Sequence, residues 1–168
     1  MNGIKVKRLA VVSVMIAAAM ILSYVESLIP VFIPVPGLKI GLANVVSVVC
    51  LVLFGFRTAG SISLVRVCLS ALLFGNAVGF IYSLCGAVLS MLVMLLLKHT
   101  RIFSTVGISV GGAVAHNIGQ VLAACVVMGT AAVLAYLPIL LVGGVIAGIV
   151  IGLVAGLLCA RLKDTVKL

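Results

Sequence analysis

Acidic residues are almost absent from this sequence. Its 168 residues include only two acids, Glu26 and Asp164, and 8% of all residues are charged. A soluble domain typically carries about 25% charged residues, so this chain could not cover a water-facing surface with polar groups. Because 65% of its residues are hydrophobic, the sequence predicts an integral membrane protein whose first partner is the lipid bilayer.

Tryptophan is also absent, and so are the signatures of RNA-binding modules. A net charge of +9 would raise the question of nucleic acid in a soluble protein. In a membrane protein, however, the cytoplasmic loops accumulate lysine and arginine. The charge therefore predicts membrane topology, and we expect no nucleic-acid partner.

The sequence lacks the motifs of an autonomous enzyme. It contains no GxSxG, P-loop or HExxH pattern, and no DDxxD-like cluster that would hold Mg²⁺ for prenyl diphosphate chemistry. The two acids are predicted on opposite sides of the membrane, where they cannot form an acid/base pair. The five cysteines fall singly in apolar runs, without CxxC spacing. We expect no catalysis, no cofactor, no disulfide and no metal.

Long apolar runs are what the sequence does contain. The first is too long for the core of a signal peptide, which spans about 7–15 residues, and long enough to cross about 30 Å of hydrocarbon. Prolines, glycines and charges separate it from the later runs. The sequence predicts an all-α bundle of six transmembrane helices forming a single domain over residues 1–168, with spans at 9–29, 40–56, 58–75, 77–97, 104–129 and 136–160.

The distribution of lysine and arginine supports six spans. With a cytoplasmic N-terminus, nine of the 11 lysines and arginines fall on the cytoplasmic side. Only Lys39, in the first outer loop, and Arg66, inside the third span, do not. Merging two spans would place the basic C-terminal tail outside, against the positive-inside rule. Both termini are therefore predicted in the cytoplasm.

Small residues recur every fourth position in two spans. Such ladders form flat faces along which helix backbones approach closely. We predict that both faces pack against neighbouring helices of the same chain. Packing of the two faces against each other is one such arrangement. Self-dimerisation of the protein through these faces is the alternative. The ladder glycines are Gly107, Gly111 and Gly119 in the fifth span, and Gly144, Gly148, Gly152 and Gly156 in the sixth.

Two charged residues fall at bilayer depth, where such groups are costly and mark functional sites by default. Arg66 lies near the middle of the third span, where it would line a cavity, reach the inner surface or bind backbone carbonyls. Glu26 lies in the outer half of the first span. Its predicted partners are Arg66, Lys39 or a cationic group on a solute.

Uncharged polar residues gather in the fifth span. His116 and Gln120 are four residues apart on one helix face, and Asn117 borders it. They predict either hydrogen bonds between helices or a cavity that holds a solute. Asn44 and Asn76 add polar groups at the outer ends of the second and third spans. The proline-rich outer loop at 30–41 is either a lid over an outer cavity or a passive interfacial segment.

Three segments carry a family resemblance: PGLKIGLAN at 36–44, the stretch from Arg66 to Gly75, and GAVAHNIGQ at 112–120. They resemble the bacterial membrane proteins called the Gx transporter family, which are also labelled heptaprenyl diphosphate synthase component I. That family is similar to the substrate-binding S components of energy-coupling factor (ECF) transporters. The resemblance implies a multi-pass protein of the bacterial cytoplasmic membrane that captures a small molecule from outside.

The resemblance also implies sites and partners. S components work with a transmembrane coupling protein and ATPase subunits, and their first helix often carries an AxxxA docking surface. Here the nearest match is Ala10, Ser13 and Ala17. A solute site is implied toward the outer side, under the first loop. Its candidate residues are Glu26, Lys39, Asn44, Arg66, Asn76, His116, Asn117 and Gln120.

Two other functions stay open. The synthase label implies a non-catalytic membrane component of heptaprenyl diphosphate or quinone biosynthesis, which would support a separate catalytic subunit. Some relatives are associated with membrane redox systems, which implies a structural subunit. The interpretation we favour is a membrane-embedded substrate-binding subunit for small-solute uptake.

Overall fold

The computed structural model describes residues 3–28 and 41–163, and all regular elements within those ranges are helical. The predicted all-α class is confirmed. Lys39, most of the proline-rich loop and Asp164 lie outside the described residues. The helices are α1 (Gly3–Leu28), α2 (Asn44–Phe54), α3 (Phe56–Phe74), α4 (Ala77–Thr100), α5 (Thr105–Met128) and α6 (Leu137–Leu162), with a 3₁₀ turn at Ala131–Tyr136 before α6.

Capping side chains and a glycine set several of the helix ends. Asn76 caps α4 by accepting a hydrogen bond from Gly79 N at 2.7 Å, and Ser104 caps α5 by accepting from Gly107 N at 3.3 Å. These side chains satisfy backbone donors that the first helical turn leaves unpaired. Gly55 has a φ of +86° and alone separates α2 from α3. The predicted boundary between the span at 58–75 and the span at 77–97 is thus confirmed, since α3 ends at Phe74 and α4 begins at Ala77.

The predicted count of six membrane spans is not confirmed. Six α-helices are present in the described residues, and five of them are long and apolar enough to cross a membrane. The remaining one, α2, has only 11 residues, so it is about 16 Å long at 1.5 Å per residue. The predicted second span at 40–56 is shortened because a turn at Gly41 precedes the helix and Gly55 ends it. The chain is a multi-pass membrane protein.

The shortest helix is also the most deeply buried. Val48, Val49, Cys50 and Leu51 of α2 are at most 2% exposed. Helix α2 packs against α3 and α6, α1 packs against α3, and α5 lies between α4 and α6. The long helices therefore turn their large aliphatic side chains outward and enclose α2.

The glycine ladders have different partners. A methyl group on Gly148 or Gly152 of α6 would lie 2.7 or 2.6 Å from a backbone Cα of α5. Gly119 of α5, in contrast, lies against α4, 2.8 Å from Cys85 O by the same measure. The two ladders therefore do not face each other, because α5 presents one side to α4 and another to α6. Gly156 has open space beside it, and Gly107 lies against Phe103, which comes just before α5 in the chain.

Basic side chains gather at one end of the bundle. Lys98 Nζ donates to the carbonyl oxygens of Leu51 and Val52, which brings the last turn of α4 to the end of α2. The Lys98 ammonium also acts electrostatically on Cys159 near the end of α6. We call this end, which carries exposed Arg57, Arg101, Arg161 and Lys163, the basic end.

Candidate functional site

One group of candidate residues lies where α1 ends and α2 begins. The Glu26 carboxylate accepts a hydrogen bond from Gly41 N, although the two residues are 15 positions apart. Gly41 has a φ of +89°, which favours glycine. Asn44 is close by, since its Nδ2 lies 2.7 Å from where a Cβ on Gly41 would be. Glu26 and Asn44 are thus brought together around one tight turn.

Arg66 is enclosed within the bundle and does not reach its surface. Its side chain is 7% exposed, and among the described residues its Nε has no hydrogen-bond partner. The Glu26 carboxylate is close enough to act electrostatically on the guanidinium. A buried guanidinium is costly unless its donors are satisfied. The arrangement therefore holds a cation whose donors are not all occupied by the part of the chain that the structure describes.

His116 and Gln120 share a face of α5 that lies against α4. A methyl group on Gly86 would lie 2.9 Å from His116 Cε1 and from Gln120 Cγ. Gln120 is 3% exposed, and neither of its amide heavy atoms has a partner among the described residues. Close backbone approach at Gly86 therefore buries an amide with unused donors and acceptors.

These residues lie at a similar depth in the bundle. Only Gly75 and Asn76 separate α3 from α4, and the two helices pack against each other. Arg66 lies eight residues before the end of α3 and Gly86 lies nine residues after the start of α4. Gly86 in turn contacts the α5 face that carries His116 and Gln120. Because helical neighbours differ by only about 1.5 Å in height, Arg66 and these two residues belong to one layer.

The other candidates lie elsewhere. Asn117 points to α6, where its Nδ2 donates to Leu140 O at 2.6 Å. Asn76 is exposed and is used as the cap of α4. Lys39 is outside the described residues. The structure thus places Glu26 close to both Asn44 and Arg66, and it places His116 and Gln120 on one helix face. Asn117 and Asn76 instead make hydrogen bonds to backbone groups elsewhere.

The predicted docking residues are all exposed on α1. Ala10, Ser13 and Ala17 lie on one outward face of the helix, which continues through Ile21 and Tyr24. No neighbouring helix of the described chain covers these three side chains. The AxxxA-like positions are therefore accessible to lipid or to another protein.

Sequence inspection missed two features. Ser23 is 2% exposed on α1, and its Oγ has no partner among the described residues. It precedes Glu26 by three residues and so lies on the same helix face. The second feature is an apolar groove of about 220 Å³ between α3 and α4, with a floor of Gly60, Ser63 and Ala87. Gly60 and Ser63, two small residues three positions apart on α3, were the signal for it.

Comparison with known protein families identifies the chain. The family described as Heptaprenyl diphosphate synthase component I matches residues 15–158. The chain belongs to this family. The match covers α2 to α5 completely, about half of α1 and most of α6, so it concerns most of the bundle and not one motif.

Membership in the heptaprenyl diphosphate synthase component I family confirms the resemblance predicted from the three segments. The family description indicates a membrane component related to that synthase. Neither a curated protein nor a solved structure matches the chain significantly.

Proposed function

We propose that this chain is a non-catalytic, substrate-binding membrane subunit for small-solute uptake, similar to an S component of an ECF transporter. The observation that carries the proposal is the layer containing Arg66 and Gln120. Both side chains are buried and hold polar atoms without partners in the described part of the chain. A bound polar solute would satisfy those atoms and recover the cost of burying them.

The surroundings of the layer support a solute that enters from the end opposite the basic end. Glu26 and Ser23 lie near the end of α1, and Asn44 lies at the start of α2; these are the helix ends away from the basic end. The positive-inside rule assigns the basic end to the cytoplasm. We therefore propose entry from the outer face of a bacterial cytoplasmic membrane.

Energy for uptake would come from other chains. We propose that a transmembrane coupling protein and its ATPase subunits dock on the α1 face that carries Ala10, Ser13 and Ala17. Small exposed residues allow close approach of a second helix in lipid, where packing and not hydrophobic burial drives association. The exposure of all three residues supports this role.

The decisive experiment is native mass spectrometry of gently purified protein. We expect a small solute to be retained by the unaltered protein and lost from Arg66→Ala and His116→Ala. The matched control is Asn76→Ala, which removes a polar group that is exposed and outside the layer. Retention that is equal in all four proteins would refute solute binding at this layer.

The family description favours a second candidate function. In that function the chain is a non-catalytic membrane component that accompanies a separate prenyltransferase. It predicts that a soluble prenyltransferase co-purifies with the chain, and that deletion removes long-chain quinone while solute uptake is unchanged. Loss of uptake with normal quinone content would favour the first function instead.

A further inference from the structure

Helix α2 begins at about the depth of the layer that holds Arg66 and Gln120. The other end of α2 contacts the Lys98 side chain, and its 11 residues give it a length of about 16 Å. Gly86, at the layer, lies 12 residues before Lys98 on α4, which corresponds to about 18 Å. Helix α2 therefore occupies the half of the bundle nearer the basic end and stops at the layer.

Arg66 and Gln120 border the same space above the start of α2. Helices α3 and α5 each pack against α2 and α4, but within the described chain they form no extensive interface with each other. They are therefore opposite members of a ring of four helices. Arg66 of α3 and Gln120 of α5 are both buried, so their side chains lie inside this ring at the depth where α2 stops.

The two side chains have hydrogen-bonding atoms that the described residues leave unused. Arg66 Nε is a donor, and the planar amide of Gln120 has Nε2 as a donor and Oε1 as an acceptor. An amide is satisfied by a partner that carries a donor and an acceptor side by side, as another amide does. A ligand of the layer therefore needs one such edge and a further acceptor for Arg66.

The positive charge of Arg66 is opposed by Glu26. This residue is one of only two acids in the sequence, and its carboxylate acts electrostatically on the Arg66 guanidinium. A hydrogen bond from Gly41 N holds the carboxylate in place. An anionic solute at Arg66 would bring a second negative charge close to Glu26, where like charges repel. The first amides of α2 already donate to the preceding turn, so they do not offer an anion a site.

We propose that the layer binds an uncharged solute with a cyclic amide edge, in which an N–H group and a carbonyl oxygen lie side by side, and that Glu26 makes the site reject anions. The inference rests on the proposed uptake function and adds the chemical class of its solute. The amide edge pairs with Gln120, and a second carbonyl oxygen accepts from Arg66. An uncharged solute also avoids the cost of burying another charge.

Binding of radiolabelled uracil to the purified protein tests the proposal. Uracil is an uncharged ring with such an edge and a second carbonyl group. Dimethyluracil, methylated on both ring nitrogens, lacks the N–H donors, and orotate is uracil with an added carboxylate. We expect uracil to bind at millimolar concentration and each analogue to compete at least about tenfold less well. Absence of uracil binding would mean that water alone occupies the layer and would overturn the proposal, as would equal competition by orotate.

Two variants assign the selectivity to named side chains. Glu26→Gln removes the negative charge and keeps an acceptor for Gly41 N, so we expect it to raise the affinity for orotate at least about tenfold. Asp164→Asn, at the only other acid, is its control and should leave orotate rejected. Gln120→Leu should lower the affinity for uracil to that for dimethyluracil, because the partner of the N–H group is gone. Rejection of orotate that persists in Glu26→Gln would overturn the role of Glu26.

The solute released from the unaltered protein separates this proposal from uptake itself. We expect a solute that passes through both anion and cation exchangers and that uracil displaces from the protein. A retained solute that binds the anion exchanger would keep the uptake function and reject the uncharged class. Absence of both a retained solute and uracil binding would overturn both proposals.

Discussion

The ammonium group of Lys98 donates hydrogen bonds to the carbonyl oxygens of Leu51 and Val52 at the end of α2. The last carbonyls of a helix have no partners within it, and a cation near them is favoured by the helix dipole. One side chain of α4 thus anchors the C-terminal end of the most buried helix. Gly41, just before α2, is anchored by Glu26.

Removal of this anchor should destabilise the bundle. We expect Lys98→Met to lower the free energy of unfolding by about 1–2 kcal/mol, because the carbonyls of α2 lose a charged donor. The measurement is equilibrium unfolding in mixed micelles. Lys163→Met removes an exposed lysine at the same end and should have little effect. An equal loss in both variants would mean that net charge, and not the bond to α2, matters.

A methyl group added at Gly119 should disrupt the contact between α4 and α5. A Cβ there would lie 2.8 Å from Cys85 O and 2.9 Å from Gly86 Cα. We expect Gly119→Ala to cost about 1–3 kcal/mol of unfolding free energy, since two backbones would have to separate. Gly143→Ala is the control because it has open space beside it. A neutral Gly119→Ala would contradict the close packing.

The hydrogen bond between Asn117 and Leu140 should contribute to stability. Its 2.6 Å length joins α5 to α6 within the membrane. We expect Asn117→Leu, which keeps the size of the side chain, to lower the free energy of unfolding by about 1 kcal/mol. Unfolding in micelles provides the measurement. A gain in stability would show that the amide is not a connector between the helices.

Replacement of Gln120 by an apolar residue should stabilise the protein, in contrast to the replacement of Asn117. Both of its amide heavy atoms are buried without partners in the described part of the chain, so replacing the amide by an apolar group removes a desolvation cost. We expect Gln120→Leu to raise the stability of ligand-free protein by about 1 kcal/mol and to weaken solute retention. Native mass spectrometry and unfolding would be measured on the same preparation. Unchanged retention would remove Gln120 from the proposed site.

The exposed face of α1 should decide association with a coupling protein. We expect Ala17→Leu to reduce co-purification of a co-expressed coupling protein, because a larger side chain separates the two helices. Ala160→Leu adds the same bulk at an exposed position of α6 and should leave association intact. Loss in both variants would indicate general damage to the bundle, and loss in neither would exclude this face of α1 as the docking surface.

The relation between sequence and site differs from residue to residue. The sequence identified Arg66, Glu26 and Gln120 as polar groups at bilayer depth, and all three are buried. It grouped Asn117 with His116, whereas adjacent helical residues point about 100° apart and here contact α6 and α4. It also offered Asn76 as a solute ligand, although that residue lies at a helix start and caps it.

Hydropathy and turn chemistry alone determined that this chain is an all-helical membrane protein and where most of its helices begin and end. These properties depend on how each segment interacts with lipid and on its own backbone, so they can be read locally. Only the tertiary structure decided that α2 is short and enclosed, that the two glycine ladders face different partners, and that α3 and α4 leave a groove between them. Lipid is as apolar as the side chains themselves, so hydrophobicity does not select one apolar face over another, and only the fit of neighbouring helices does.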